Sequence, residues 1–215
     1  MKNSDHAGLR TWIEIDTGAI DHNYRLFRGL IGPGVKLMAI AKSNAYGHSL
    51  HDYAEYAESI GADWIGVDAL VEAVALRARG VRAPILVLGY TLPEKFIEGA
   101  EQGISITISS FESLRAMKRQ AGALLLLKQR LRIHLKVDTG MHRQGFFPED
   151  VPRVLKVFSS GGSSFILEGV YTHLAGKDPF TLDENRAQLA EFEKIKAIGV
   201  TLQSPPSASL PIFPS

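Results

Sequence analysis

One pattern limits the folds open to this chain: short apolar segments alternate with segments of helical spacing along most of its length. The apolar segments predicted as strands are VKLMAIAK (Val35–Lys42), WIGVD (Trp64–Asp68), PILVLG (Pro84–Gly89), ISITIS (Ile104–Ser109), LRIHLKVD (Leu131–Asp138) and FILEGVYTH (Phe165–His173). Strands that are apolar nearly throughout are typical of parallel sheets buried on both faces. Strand–helix alternation of this kind predicts an α/β fold with a parallel sheet.

A TIM-type (β/α)₈ barrel is the first interpretation of this alternation, and a doubly wound open sheet is the second. A complete barrel takes about 250 residues. The chain has 215, so we expect a barrel that is one or two units short. The segment VTLQ, from Val200, is a candidate seventh strand. We assign residues 1–199 to the barrel domain and residues 200–215 to an irregular or truncated tail rich in proline and serine.

Composition excludes several classes of function. The formal net charge is +1, which creates no field for nucleic acid. There are no cysteines, which excludes disulfides and thiolate metal sites, and the histidines show no metal-ligand spacing. The N-terminal segment lacks the apolar core of a signal peptide, and no apolar run approaches the roughly 20 residues that span a bilayer. We therefore predict a cytoplasmic protein with no metal and with neither a membrane nor a nucleic acid as partner.

Ionisable residues stand where the predicted strands end. Lys42, Asp68, Asp138 and His173 end four of them, and Arg143 lies in the loop after the fifth. In barrels and in open α/β sheets, active sites lie at the carboxyl ends of the strands. This convergence predicts an active site on one rim of the sheet.

Lys42 ends the apolar run AIAK, where an ammonium group would lose part of its hydration. The neutral amine that burial favours is a nucleophile, and it forms Schiff bases with carbonyl compounds. Tyr46, four residues later, offers a phenol to a bound ligand, and Gly47 allows close approach of the backbone. The alternative is a lysine whose stem covers apolar surface while its amine reaches water. For Tyr46 the alternative is an ordinary half-buried tyrosine.

A second cluster is KVDTGMHRQGF, from Lys136 to Phe146. Arg143 presents a fixed positive fork suited to a phenolate or a carboxylate, or else it is a surface arginine paired with Glu149 or Asp150. Lys136 shares one face of its strand with His134 and Asp138, so it points inward and requires a partner or a modification. We favour a structural ion pair with Asp138 or with a carboxylate of a neighbouring strand. His173 is either a site residue or a satisfied core histidine.

The segments AIAKSNAYGHS, KVDTGMHRQGF and YTHLA, in this order and spacing, resemble bacterial alanine racemases. WIEIDTGAIDHNYR is similar to the N-terminal opening of that family, and LVLGY to its third barrel strand. The resemblance extends from about Arg10 to the tail. It implies a (β/α)₈ barrel and a homodimer. It also implies pyridoxal 5′-phosphate as cofactor and the interconversion of L-alanine and D-alanine, which supplies D-alanine for peptidoglycan.

The resemblance also implies roles for individual residues. Lys42 would carry the cofactor as a Schiff base and act as a catalytic base or acid, and Arg143 would contact both the cofactor and the substrate carboxylate. Lys136 would be the lysine that is carbamylated in many members. The cofactor-binding residues implied are Lys42, Tyr46, Arg143, His173 and Ser207. Pro206 stands where the family has an asparagine beside that serine.

The resemblance implies a second domain that the sequence does not match. In the family, a β-rich domain of the partner subunit supplies a tyrosine on the other face of the substrate, and an arginine addresses the cofactor's ring nitrogen. We expect this chain to be truncated before both. The alternatives are a non-catalytic, single-domain protein that binds pyridoxal phosphate, and a fragment that associates through exposed strand edges.

Overall fold

The fold is taken from a computed structural model that describes residues 8–127, 129–159, 164–176, 182–202 and 212–214. Within these ranges, seven strands form one sheet in which every neighbouring pair is parallel. The strands are β1 (Met38–Ile40), β2 (Trp64–Val67), β3 (Ile85–Val87), β4 (Ser105–Ile108), β5 (Leu131–Lys136), β6 (Phe165–Thr172) and β7 (Ile212–Pro214).

Helices precede the sheet and fill the connections between its strands. In chain order they are α1 (Thr17–Ile31), α2 (Lys42–Tyr46), α3 (Leu50–Ser59), α4 (Leu70–Ala78), α5 (Phe96–Glu101), α6 (Phe111–Arg119), α7 (Ala121–Leu125), α8 (Val151–Ser159) and α9 (Leu182–Leu202). Two begin with a side-chain cap: Asp16 accepts a hydrogen bond from the Ala19 amide, and Ser110 accepts one from Ser113.

The order of the strands decides between the two predicted folds. They lie in the sheet in sequence order, from β1 to β7, as in a barrel, whereas a doubly wound sheet reverses direction at a switch point. The sheet is also strongly curved. The rings of Trp64 on β2 and His134 on β5 have centroids 5.4 Å apart, although two strands lie between them. The architecture is a partial TIM-type barrel, as predicted.

The strands bury apolar side chains on both faces. Outward-facing residues, among them Ile65, Ile106 and Ile133, pack with the helices in the main core, and all three are fully buried. Trp64, Leu86 and Tyr171 form a second cluster on the concave face. This double burial explains why the strands are apolar nearly throughout.

A buried polar cluster lies on the concave side between β4, β5 and β6. Glu168 accepts hydrogen bonds from Arg132 Nη1 at 2.7 Å, from Ser105 Oγ, and from His134 Nε2 at 3.2 Å. Burial alone would raise the pKa of Glu168, but these hydrogen bonds outweigh burial and lower the pKa to about 2. The cluster therefore holds a carboxylate inside the barrel.

The structure differs from the prediction near the C-terminus. The candidate strand at VTLQ was wrong over its described residues: α9 continues through Val200, Thr201 and Leu202, and Gln203 lies outside the described residues. The strand that pairs with β6 is β7, which lies within the predicted tail. No helix in the described ranges is long and apolar enough to cross a membrane.

Candidate active site

The carboxyl ends of the strands form one rim, and the predicted ionisable residues gather there. The pKa of Lys136 reflects how close these charged residues lie to it. Burial lowers the pKa of Lys136 below its usual value, and the charges of Arg143 and Lys42 lower it further, against the attraction of Asp138 and Asp68. Residues that follow β1, β2 and β5 thus act on one amine. The predicted convergence on one rim is what the fold produces.

Lys136 is the most enclosed cation of this rim. Only 7% of the residue is exposed. Its Nζ lies 5.7 Å from the centroid of the Tyr171 ring and donates a long hydrogen bond of 3.5 Å to Gln144 Oε1. Gln144 in turn donates through Nε2 to Ser109 Oγ at 2.9 Å. The amine therefore faces an aromatic ring and an amide rather than a carboxylate.

Asp138 does not form the predicted ion pair with Lys136. Its carboxylate accepts backbone N–H bonds from Gly140, His142 and Arg143 at 2.9–3.0 Å. Burial alone would raise the pKa of Asp138, but these bonds outweigh burial and hold it below its usual value. The loop therefore folds around the carboxylate. The ion-pair prediction was wrong for both partners: loop amides bond Asp138, and among the described residues no carboxylate of a neighbouring strand pairs with Lys136, whose amine donates to Gln144.

Gly145 closes this loop against the end of β5. Its φ is +139°, and a Cβ there would lie 2.6 Å from the Asp138 nitrogen. Phe146 then donates its N–H to Lys136 O at 2.9 Å and returns the chain alongside the strand. The loop thereby holds Arg143, whose side chain is exposed, at the rim.

Lys42 opens an unusual backbone segment, α2. The four residues from Ser43 to Tyr46 have φ between 52° and 56°, in the left-handed region that side chains disfavour. The Ala45 N–H bonds Ala41 O at 2.8 Å, so the segment is a left-handed helical turn. Gly47, with φ of 95°, ends it. This turn directs the chain from β1 to α3 in a few residues.

The remaining predicted site residues lie along the same rim where they are described. The Tyr46 ring centroid is 5.9 Å from Lys42 Nζ, and Tyr46 is 63% exposed. His173 follows β6 directly and is half-buried. Ser207 lies outside the described residues. No ion pair joins the exposed Arg143 to Glu149 or Asp150 in the described part of the chain.

Sequence reasoning missed three residues that shape the rim. Tyr171 donates to Leu88 O at 3.3 Å and bonds Thr107 Oγ1 at 3.0 Å; burial raises the pKa of Tyr171 to about 12. Gln144 touches Lys136 as described above. Glu72 accepts the Ser43 N–H at 2.8 Å. The alternation along β6 could have placed Tyr171 inward, and the position of Glu72 near the start of a helix indicated a cap.

Together these features define a class: a TIM-type barrel with an amine, a guanidinium and a phenol at the carboxyl ends of its strands. That donor set suits an anionic carbonyl compound, because the amine can bond a carbonyl carbon while the other groups donate to anionic oxygens. Among the described residues there is no group of three or more His, Asp or Glu side chains that could hold a metal ion.

Comparison with known proteins identifies the family. The family model for the alanine racemase N-terminal domain matches residues 15–207. Alanine racemase 2 of Oceanobacillus iheyensis is 37% identical over 186 residues, which are 86% of this chain and 46% of that protein. The chain belongs to the alanine racemase family.

Solved structures agree with this assignment. Alanine racemase of Clostridium difficile 630 superposes with a TM-score of 0.85 and 26% identity, over 97% of this chain and 56% of the other. A histidine racemase from Leuconostoc mesenteroides superposes with a TM-score of 0.77 and 28% identity, over 93% of this chain and 51% of the other. The chain thus spans about half the length of the relatives it matches.

Alanine racemases depend on pyridoxal phosphate, and the rim fits that group. The cofactor carries an aldehyde, a phenolate and a phosphate, and the rim presents one partly exposed amine at Lys42. The exposed side chains of Arg143 and Tyr46 supply donors for anionic oxygens. The described residues therefore suit the cofactor chemically.

Proposed function

We propose that this chain is the cofactor-binding part of a pyridoxal-phosphate-dependent racemase that interconverts L-alanine and D-alanine. One observation carries the proposal: Lys42, after β1, and Arg143, in the loop after β5, lie at the carboxyl rim of one barrel, where both charges lower the pKa of Lys136. Lys42, Tyr46, Arg143, His173 and Ser207 are the residues proposed to hold the cofactor. When bound, pyridoxal phosphate supplies an electron sink that acidifies the hydrogen on the substrate's α-carbon.

Lys42 and Arg143 have different roles at the α-carbon of the substrate. Lys42 Nζ accepts or returns the proton on one face, which is the role of a catalytic base and acid. Arg143 binds the carboxylate of the amino acid through its guanidinium fork and fixes the orientation of the α-carbon. The Arg143 N–H donates to Asp138 Oδ2 at 2.9 Å, and this bond holds the backbone of Arg143 at the rim.

Lys136 is proposed to be carbamylated. A neutral amine attacks carbon dioxide, forms a C–N bond and releases one proton, so a lowered pKa favours the product. The pKa of Lys136 is lowered by burial and by the nearby charges of Arg143 and Lys42. Carbamylation replaces a like charge with a negative group beside Arg143, which would relieve that repulsion and orient the guanidinium.

Inversion of the α-carbon requires a second proton carrier on the opposite face. We propose that a homodimer supplies this group, through a β-rich domain that this chain's match does not include. Alanine is the proposed substrate because the relatives matched are mostly named alanine racemases. D-Alanine for peptidoglycan is the proposed use of the product.

A non-catalytic protein that binds pyridoxal phosphate is the second candidate, and Tyr171 favours it. This phenol lies close to the rim, but its hydroxyl is engaged by Thr107 and Leu88 O. Burial raises the pKa of Tyr171 to about 12, so losing its proton is less favourable than for an exposed tyrosine. The chain alone could then bind the cofactor without inverting an amino acid.

Proton exchange separates the two candidates. The chain is incubated with pyridoxal phosphate and L- or D-alanine in D₂O, and the α-proton signal is followed by NMR. We expect exchange in at least one enantiomer, since Lys42 alone suffices for one face. Lys42→Ala should abolish exchange, whereas Lys36→Ala, at an exposed lysine before β1, should not. Cofactor binding without exchange in either enantiomer would favour the non-catalytic protein.

A further inference from the structure

Glu72 connects the turn that carries Lys42 to the end of the neighbouring strand. It lies in the first turn of α4 and is partly buried. Its Oε2 accepts the N–H groups of Asp68 and Ala69 at 2.9 and 3.1 Å. Its Oε1 accepts the Ser43 N–H at 2.8 Å, 29 residues away in sequence. One carboxylate therefore joins the segments that follow β1 and β2.

The segment that Glu72 contacts does not hold its shape unaided. A left-handed helical conformation costs roughly 1–2 kcal/mol per residue with a side chain. Four such residues follow Lys42 in succession. Conformations of this kind persist only where surrounding contacts determine them. Three side chains in the described residues supply such contacts here: Glu72 at Ser43, Asn44, whose Oδ1 accepts the Leu50 N–H at 2.8 Å, and His48, whose Nδ1 lies 2.9 Å from Ala45 O.

We propose that Glu72 is a positioning residue for Lys42. Its bond to Ser43 lies one residue beyond the amine-bearing residue and fixes where the left-handed turn starts. A carboxylate accepts backbone N–H bonds more strongly than a neutral group does. The segment after Lys42 is thereby fastened to the end of β2. The inference rests on the proposed role of Lys42 in holding the cofactor, but the link to the turn stands on the hydrogen bonds themselves.

A helix cap alone would be the simpler role for Glu72. Glutamate in the first turn of a helix commonly reaches back to the N-terminal amides, as its Oε2 does here. The second oxygen distinguishes the two roles, because capping α4 does not require a bond to Ser43. Glu58 provides a matched control. It is also partly buried, and its Oε1 accepts the N–H groups of Arg82 and Ala83 at 2.8 and 2.6 Å, ahead of β3 at the opposite end of the sheet.

Backbone hydrogen exchange tests the link directly. Glu72→Ala and Glu58→Ala are compared with the unchanged chain by mass spectrometry of peptides. Glu72→Ala should accelerate exchange in residues 42–50, and Glu58→Ala only in residues 81–84, although both lose stability. Glu72→Gln keeps one acceptor oxygen and should give an intermediate rate, which preserves the test if the alanine variant does not fold. Unchanged exchange of residues 42–50 in both Glu72 variants would overturn the proposal.

Cofactor affinity tests whether the turn positions Lys42. Pyridoxal phosphate is titrated into each variant and followed by absorbance. Loss of a bond to a charged acceptor predicts about tenfold weaker binding for Glu72→Ala, with no change for Glu58→Ala. Equal weakening in both would show a general loss of stability and overturn the proposal. If the unchanged chain binds no cofactor, the proposed function fails, and exchange alone decides the role of Glu72.

Discussion

The contacts of Lys136 in the structure differ from those that its sequence neighbours predict. In sequence it is one of three polar side chains on the same face of a strand, and it has an aspartate two positions away. In the structure that aspartate is occupied by backbone amides, and the lysine faces Tyr171 and Gln144. A buried amine without a carboxylate partner is a site where a neutral or modified form is favoured.

Carbamylation of Lys136 has a direct spectroscopic test. In ¹³C-labelled bicarbonate, NMR should show a carbamate signal that grows as the pH rises, because only the neutral amine reacts. Lys136→Met should remove the signal, and Lys118→Met, at an exposed lysine on α6, should leave it. A spectrum without a carbamate signal up to pH 9 would contradict the proposed modification.

The lowered pKa of Glu168 predicts how the free energy of unfolding depends on pH. Its pKa falls from 4.5 in an unstructured chain to about 2 in the fold. A lowered pKa stabilises the fold above the unfolded value, and that stability disappears as the pH falls through the folded value. At neutral pH, Glu168→Gln should lower the free energy of unfolding by about 3 kcal/mol. The difference should shrink between pH 4.5 and 2 in urea unfolding.

A surface glutamate provides the comparison for Glu168. Glu98 pairs with Lys95 at 2.7 Å, and both side chains are well exposed. Glu98→Gln should change the free energy of unfolding by less than about 1 kcal/mol at any pH. Two results would contradict this prediction: an equal loss of stability in both variants, or a loss at Glu168 that does not depend on pH. Either would show that the buried carboxylate does not cause the pH-dependent stability.

The left-handed backbone of α2 predicts how substitutions within the turn change the free energy of unfolding. Ser43 is exposed, so changes there affect the backbone more than the packing. At position 43, a glycine variant should be more stable than an alanine variant by about 1 kcal/mol, because φ is 54° and a Cβ is disfavoured. Urea unfolding of Ser43→Gly and Ser43→Ala measures the difference.

In a right-handed helix, the alanine variant should be more stable than the glycine variant. Arg115 is exposed in the middle of α6, where the backbone is right-handed. Arg115→Ala should there be more stable than Arg115→Gly by about 0.5–1 kcal/mol. The same sign at both positions would show that the turn after Lys42 is not left-handed in solution.

The elements that the sequence predicts well are those set by local pattern. Apolar runs identify β2 and β4 within a residue or two, because both faces of those strands are buried. The left-handed turn escapes prediction because Ser43, Asn44 and Ala45 carry no glycine signal. The end of α9 escapes prediction because Val200 and Thr201 are β-branched residues that locally favour a strand, yet they lie inside the helix.

At the scale of the whole molecule, sequence-ordered parallel strands bring the segments after β1, β2, β5 and β6 to one rim. Alternation alone predicts that gathering, so Lys42, Arg143 and His173 could be named before the fold was known. It does not predict which groups pair. Asp138 accepts bonds from loop amides only two to five residues away, which the apolar pattern does not reveal. Tyr171 bonds a threonine two strands away, a contact that is distant in sequence.

The proposed function depends on a bond between the amine of Lys42 and pyridoxal phosphate at this rim. The most direct measurement is to incubate the chain with pyridoxal phosphate, reduce it with borohydride and map the modified peptide by mass spectrometry. We expect one reduced adduct, on Lys42, that is absent from Lys42→Ala. An adduct placed instead on Lys136 or on exposed lysines, or no adduct at all, would contradict it.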